Sequence, residues 1–331
     1  MPDSMQLKVS SSDNPGEVVT EMTALRAHRQ GGPEVLVVER APVPVPAADE
    51  VLVAVHAGAI TFDELTWPQT WTRDGVSRTP VILSHEVSGV VSDIGSDVTD
   101  FAVGDPVCGL IGFERDGAAA DFVAVPAVDL VLKPLTLPHP VAAVLPLAGL
   151  TAFQALTDHA GVRAGEAVLV HGGAGGVGAL AVQLASIIGA EVTATVRSDA
   201  ADLLRGFGAK RVIDVRTEAF DANGAVYDVV IDTVGGETLD RSFSVLRRGG
   251  RLITIAGTPA EGKADEYGVT AKFFLVTSNR EQLAKLAALV DAGRLHVEIA
   301  ETFPLERGRE AFESGQLQGR RAGKTVIVVR D

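Results

Sequence analysis

Cysteine occurs once in 331 residues, at Cys108. A single thiol closes no intrachain disulfide, which excludes a disulfide-stapled secreted scaffold and fits a reducing cytoplasm. It cannot build a four-cysteine structural zinc lobe, and it offers a catalytic metal one thiolate at most. Tyrosine is almost as scarce, with Tyr227 and Tyr267 the only two. Acidic residues outnumber basic ones 43 to 29, for a formal net charge of -14. No Lys/Arg run offsets that charge, which argues against nucleic acid and anionic membrane as partners, although local groups can still hold a small anion. No long apolar run of the ~20 residues that cross a bilayer is evident. The polar start, MPDSMQLKVSSSDNPGEVVTE, lacks the basic-then-apolar order of a signal peptide. Residues 1–21 are expected to form a loosely ordered extension.

A hydrophobic content of 46% with 22% charged residues is that of a compact globular protein, and the length suits roughly two domains. From Ala24 to about Pro146 the pattern is of short strands broken by Gly, Pro and Asp: EVLVVE (34–39), EVLVAVHA (50–57), EVSGVVSDIG (86–95) and DFVAVP (121–126). Such spacing predicts an all-β, barrel-like unit. Beyond Leu147 the period changes. Strands are expected at 166–172, 191–196, 211–215, 227–236 and 250–257, alternating with helices at 176–189, 200–208 and in ETLDRSFSVL. That order predicts a parallel, doubly wound sheet. The tail reads as a helix over 279–293, a short helix near 307–316 and a strand over 324–329.

The strand AVLVHG runs into Gly173-x-Gly175-x-x-Gly178 and then a helix. In that setting one glycine permits the tight turn, one lets backbone N–H groups approach a pyrophosphate, and one packs helix on strand. Gly176 and Val177 belong to the same cradle, whose helix N-terminus favours an anion. Cofactor choice falls to the end of the next strand, where an acid would hold a ribose 2′-hydroxyl. Here TATVRSD places Arg197 and Ser198, a guanidinium and a hydroxyl suited to a 2′-phosphate and hence to NADPH. The alternative is that Asp199 plays the acid's part. A further pair, His85-Glu86 in ILSHEVSGVV, raises the question of a catalytic metal.

Taken together, ALRAHRQGGPEVL, LSHEVSGVV, VGDPVCGL, LPLAGLTAFQAL, VLVHGGAGGVGALAVQLA, VIDTVGG, FPLERGREAFE and GKTVIVV resemble the medium-chain dehydrogenase/reductase superfamily. Within it they are similar to the zinc-independent, quinone-oxidoreductase-like branch. The likeness runs from about Thr23 to Val329. It implies an α/β fold: a GroES-like, β-barrel-type catalytic domain over 22–147, completed by 290–331, and a Rossmann domain over 148–289 that binds NADPH. The active site is then the cleft between them. The resemblance also implies a homodimer, with KFFLV (272–276) as the edge that pairs with its mate.

Zinc members of the family carry a cysteine where this chain has Thr61, and their Gly-His-Glu stands here as Ser84, His85 and Glu86. No convincing third ligand follows, so the resemblance implies a site without metal. His85 is then expected to order the cleft by hydrogen bonding, with Glu86 paired or half exposed. Hydride transfer alone suits an electron-poor acceptor, a quinone or the activated C=C of an enone. By the same resemblance Thr61 orients the nicotinamide or the developing oxyanion. Thr151, Thr233, Val234, Ala256, Gly257, Thr258, Phe274, Val276 and Lys324 line the cofactor. The proton donor is open between Tyr267, Asp63 and solvent. Trp67 and Trp71 either wall a planar substrate or cap the barrel. Val215 stands where relatives often have a tyrosine beside the adenosine phosphate. Two other readings compete: an NADPH-binding protein of low turnover, and a zinc alcohol dehydrogenase with unusual ligands.

Overall fold

The computed structural model describes residues 20–197, 199–317 and 319–330. Ser198 and all but the last two residues of the expected extension lie outside the described residues. The N-terminal part folds into β1 (Glu21–Ala27), β2 (Leu36–Pro42), β3 (Glu50–Ile60), a small hairpin of β4 (Thr72–Arg73) and β5 (Val76–Ser77), then β6 (Val81–Ile82), β7 (Glu86–Ile94), β8 (Pro106–Leu110), β9 (Phe122–Pro126) and β10 (Leu130–Leu132). The short helix α1 (Pro68–Trp71) precedes the hairpin, and α2 (His139–Ala142) and α3 (Leu145–Gln154) lead out of this part. The second part alternates β11 (Ala167–His171), α4 (Gly176–Ile188), β12 (Glu191–Val196), α5 (Ala201–Gly206), β13 (Arg211–Asp214), β14 (Tyr227–Asp232), α6 (Gly236–Ser242), β15 (Leu246–Thr254), α7 (Lys263–Tyr267), β16 (Thr270–Phe273) and α8 (Arg280–Asp291). The tail adds β17 (Ile299–Pro304), α9 (Gly308–Glu313) and β18 (Lys324–Val328).

β3 is the hub of the barrel-like unit. Its first residues, Glu50–Ala54, pair with β9, its last, Ala57–Ile60, pair with β18, and its other edge pairs with β7. Served from both sides, it is almost continuously apolar and buried, as a strand covered on both faces must be. Since β18 lies between β3 and β17, the last stretch of chain is a structural part of the first domain.

The second sheet has the order β13-β12-β11-β14-β15-β16, and every pairing in it is parallel. The order reverses between β11 and β14, which opens a crevice at the carboxyl ends of those strands. Helix α4 ends where its sequence requires: Gly189 takes a left-handed φ of 96°, the usual device for closing a helix. Strand limits read from the pattern fall within about four residues of those found, and the strand expected at 34–39 begins later, at Leu36. There Pro33–Val35 forms a 3-10 turn, because proline is pre-set for the first helical position.

Helix α3 is absent from the sequence reading. Nine of its ten residues are buried, so it is apolar all round and shows no stripe to read. It lies within a 21-residue apolar stretch, His139–His159, longer than the sequence reading allowed, and most of that stretch is buried inside the molecule.

The topology predicts that residues 20–147 expressed alone will not fold, because the fragment lacks β17 and β18 and leaves the edge of β3 bare. Its amide NMR spectrum should show the narrow dispersion of an unfolded or molten chain, and a well-dispersed spectrum would refute the dependence.

Candidate functional site

The turn from β11 into α4 is built for close backbone approach. A Cβ on Gly178 would stand 2.1 Å from the Gly172 carbonyl oxygen, and one on Gly176 would stand 2.3 Å from Cγ of Lys324. Only glycine fits either place. The first amides of α4 have no partner within the helix and face the loop, where they and the helix dipole favour a phosphate. A dinucleotide therefore fits the residues present.

A groove of about 970 Å³ continues from this loop along the carboxyl ends of β11, β12, β13 and β14. Thr195, Arg197, Arg216, Thr233 and Val234 are among the residues lining it. Arg197 is exposed and, among the described residues, has no ion-pair partner. Arg216, which the sequence reading missed, donates to Asp199 at 2.9 Å and to Asp214 at 2.6 Å. The acid that could have read a 2′-hydroxyl is thus engaged by a cation. Arg216 directly follows Val215 at the end of β13, and the rule that ligands gather at strand carboxyl ends was the signal for it. Thr233 donates from Oγ1 to the His171 carbonyl at 2.8 Å, which fixes the lip of the groove.

Where the two domains meet, the structure brings Thr61, Lys324 and Glu86 together. Glu86 is 1% exposed and Lys324 8%. One Glu86 oxygen accepts from the Leu147 amide at 2.9 Å and the Ala148 amide at 3.3 Å, at the start of α3. The other is ion-paired with Lys324 Nζ. Lys324 Nζ also donates to Thr61 Oγ1 at 3.1 Å. An ammonium only donates, so Thr61 accepts from it and keeps its own O–H to give to another acceptor. The Gly323 amide donates to the Ala174 carbonyl at 3.0 Å, so the tail is tied to the phosphate loop as well. Lys324 thus contacts the loop through its stem and Thr61 through its head.

Behind Thr61 lies Glu64, buried to 1%. Its two oxygens accept from the Thr61 amide at 2.8 Å and the Ser84 amide at 2.6 Å. Ser84 takes a left-handed φ of 73°, an unfavourable state for a serine. The bond to Glu64 and its own O–H to the Ala59 carbonyl at 2.9 Å hold it there. Glu64 was also missed, although Thr61-x-x-Glu64 has the spacing of a capping box. Burial pushes its carboxyl up to about 7, against the two amides and Lys324. Burial likewise raises Glu86, with Lys324 and the α3 amides opposing.

Other expected residues fall in different places. Tyr267 ends α7, just before β16, and packs on Phe243 at 5.9 Å between ring centroids. In a parallel sheet that is the amino-terminal end of the strands, opposite the groove, so Tyr267 is not brought to Thr61. Phe274 is 5% exposed and lies against the His159 ring at 4.2 Å, so its ring packs the core instead of lining the cofactor. Asp63 is exposed on the short 3-10 helix that follows Thr61. Thr151 is buried and donates to the Leu147 carbonyl at 2.6 Å within α3. Val234, Ala256 and Thr258 are exposed at the carboxyl ends of β14 and β15, with Gly257 and Val276 half-buried beside them. Trp71 caps the barrel, since its indole N–H donates to the Leu65 carbonyl at 3.0 Å. His85 does not order the cleft by hydrogen bonding: both its ring nitrogens are buried without a partner.

A zinc ion does not fit these residues. Among the described residues no group of three or more His, Cys, Asp and Glu converges. Glu86 and the Thr61 hydroxyl are committed to Lys324, and Cys108 is buried with its thiol pushed up to about 12 by burial.

Two outcomes follow. Glu64 titrates at about 7 when folded, above the ordinary 4.5, so between those values the folded state holds the extra proton. Its stabilising contribution is complete below pH 4.5 and is lost as pH rises through 7, at up to about 1.4 kcal/mol per unit. Thermal unfolding of the wild type should fall from pH 5.5 to pH 8 more steeply than that of Glu64→Gln. Lys324→Met leaves the buried Glu86 without its cation, which should cost about 3–5 kcal/mol in urea unfolding. Adding Glu86→Gln should recover a large part of that loss, and no recovery would mean the two residues are not coupled.

Residues 47–135 match the model of the alcohol dehydrogenase GroES-like domain, and residues 207–327 match that of the zinc-binding dehydrogenase. The 2-methylene-furan-3-one reductase of Solanum lycopersicum is 32% identical, over 98% of this chain and 83% of its own. The quinone oxidoreductase of Coxiella burnetii superposes with a TM-score of 0.85 at 32% identity, covering 94% of this chain and all of its own. Polyketide synthase GfsB of Streptomyces halstedii is 37% identical over 85% of this chain, which spans only 5% of that protein's length. The chain therefore belongs to the medium-chain dehydrogenase/reductase superfamily, in its quinone-oxidoreductase-like branch.

Proposed function

We propose that the protein is an NADPH-dependent, zinc-independent reductase that transfers hydride to a quinone or to the activated C=C of an enone. The observation that carries this reading is the Thr61 hydroxyl, standing where zinc relatives have a ligand and already accepting from Lys324 at 3.1 Å. The names of the tomato reductase and the Coxiella oxidoreductase agree with it. Bound at the groove, the cofactor supplies the hydride. Thr61 donates its O–H to the oxygen on which charge develops, and Lys324 draws electron density from that hydroxyl. Glu86 holds Lys324 in place, and the α3 amides hold Glu86. Preorganised donors of this kind act where charge forms without reorienting during the step.

NADPH is selected at the far end of the groove by Arg197, with Arg216 shared between the ligand and its two aspartates. Replacing Arg197 with Ala should weaken NADPH by about 1.5–3 kcal/mol, the value of hydrogen bonds to a charged group, and leave NADH nearly unchanged. Equal weakening of both would remove Arg197 from the 2′-phosphate. Thr61→Val should slow single-turnover NADPH oxidation at saturating quinone about a hundredfold or more, the loss of one donor worth about 2.7–4 kcal/mol, with NADPH affinity held. An unchanged rate would refute the role. A wild type that binds NADPH yet turns over no quinone or enone from a broad panel would favour a binding protein instead. The assembly proposed with this function is a homodimer. β16 ends the parallel sheet, and among the described residues it pairs only with β15, so its open edge suits a mate.

A further inference from the structure

His85 is 1% exposed, and neither Nδ1 nor Nε2 has a hydrogen-bond partner. A buried polar group left unpaired costs stability, so each one calls for a reason. Ordinary packing does not supply it here, because a phenylalanine would fill the same space without the cost. The ring is enclosed by Phe113, edge-on at 5.5 Å, and by Trp67 at 6.3 Å, and these two meet each other at 5.0 Å. Both aromatics are only partly buried, and both pack against a core cluster that runs from β8 and α3 into the parallel sheet. The enclosure therefore sits at the boundary between the domains. Its neighbours in sequence lead to the same point: Ser84 is joined through Glu64 to the Thr61 amide, and Glu86 through Lys324 to the Thr61 hydroxyl.

We propose that His85 recognises the substrate, donating one ring N–H to a carbonyl oxygen of a planar conjugated ligand that lodges against Trp67 and Phe113. This rests on the reductase reading above and narrows it to flat, polycyclic carbonyl compounds. The ring spacings leave no empty slot, so the ligand displaces Trp67 or Phe113 from the imidazole. Phe113 is placed for this on the exposed turn after β8, where its carbonyl accepts from Arg78 at 3.4 Å. Burial, assisted by the nearby Arg78, lowers the imidazole to about 3 against the backbone of Gly112 and Ile111 beside it, neither of which reaches hydrogen-bond geometry with the ring nitrogens. His85 is thus neutral over the working range and acts as a donor, without giving up its proton.

The test compares binding of 9,10-phenanthrenequinone with that of phenanthrene, the same ring system without oxygens, by quenching of tryptophan fluorescence in protein loaded with oxidised NADP⁺, so that nothing turns over. The wild type should prefer the quinone. In His85→Phe that preference should shrink by roughly three- to tenfold, the range for one neutral hydrogen bond, with phenanthrene binding held. His85→Gln, which restores a donor, should recover part of it and serves as the readout should the Phe variant not fold. An unchanged preference in a folded His85→Phe overturns the proposal and leaves the reductase reading standing. Stoichiometric zinc uptake that depends on His85 also overturns it. A wild type that binds neither ring system sinks the pocket, and failure to oxidise NADPH with any quinone would sink the reductase reading with it.

Discussion

The buried ion pair between Lys324 and Glu86 is the contact on which the rest of the architecture turns. Its members lie far apart in the chain, on β18 and at the start of β7. Through it the C-terminal tail, the barrel, the first turn of α3 and the phosphate loop share one cluster. A buried pair of this sort is weak evidence for stability, because desolvation offsets much of the attraction. What it contributes is position. The α3 amides take up the second Glu86 oxygen, Thr61 takes up a second Lys324 proton, and the geometry that orients the two domains also sets the hydroxyl at the cleft.

The parallel sheet supplies the complementary constraint. Its strand order reverses between β11 and β14, so the groove for a dinucleotide follows from topology before any side chain is considered. Side chains then tune it. The net charge of -14 would repel an anionic cofactor at long range, but the groove answers locally with α4's N-terminus and with Arg197. Arg216 contributes less than its charge suggests, since Asp199 and Asp214 both lean on it. Arg197, Arg216, Asp199 and Asp214 thus gather four charges at the carboxyl ends of β12 and β13.

How much of this was legible in the sequence depends on whether the signal was local. The alternation of strands and helices, the glycine cradle and the capping glycine Gly189 are local, and they were read with small errors at the ends. Helix α3 was not legible, because a helix buried all round has no polar face to set its period. Glu64 and Arg216 had local signals that went unused, a capping-box spacing and a strand end. Tyr267 was misplaced for a topological reason: a residue before a parallel strand lies at the wrong end of the sheet, however polar its loop. The unpaired state of His85 is a property of three dimensions alone. Nothing in ILSHEVSGVV tells that its imidazole is enclosed by Trp67 and Phe113.

The same cluster explains what chemistry the cleft can favour. A zinc ion would present two positive charges to a substrate oxygen and stabilise an alkoxide. Lys324 presents one charge, at one remove through the Thr61 oxygen, and Glu86 neutralises most of its field. That is enough to sharpen a hydroxyl donor, yet far short of what a localised alkoxide requires. A conjugated acceptor spreads the incoming charge over its own framework, so the modest push of a polarised hydroxyl suffices for it. On the proposed function, the selection between alcohol and conjugated carbonyl follows from charge magnitude at a single position. It turns on the identity of the residue at Thr61 and on the carboxylate that holds its cation in check.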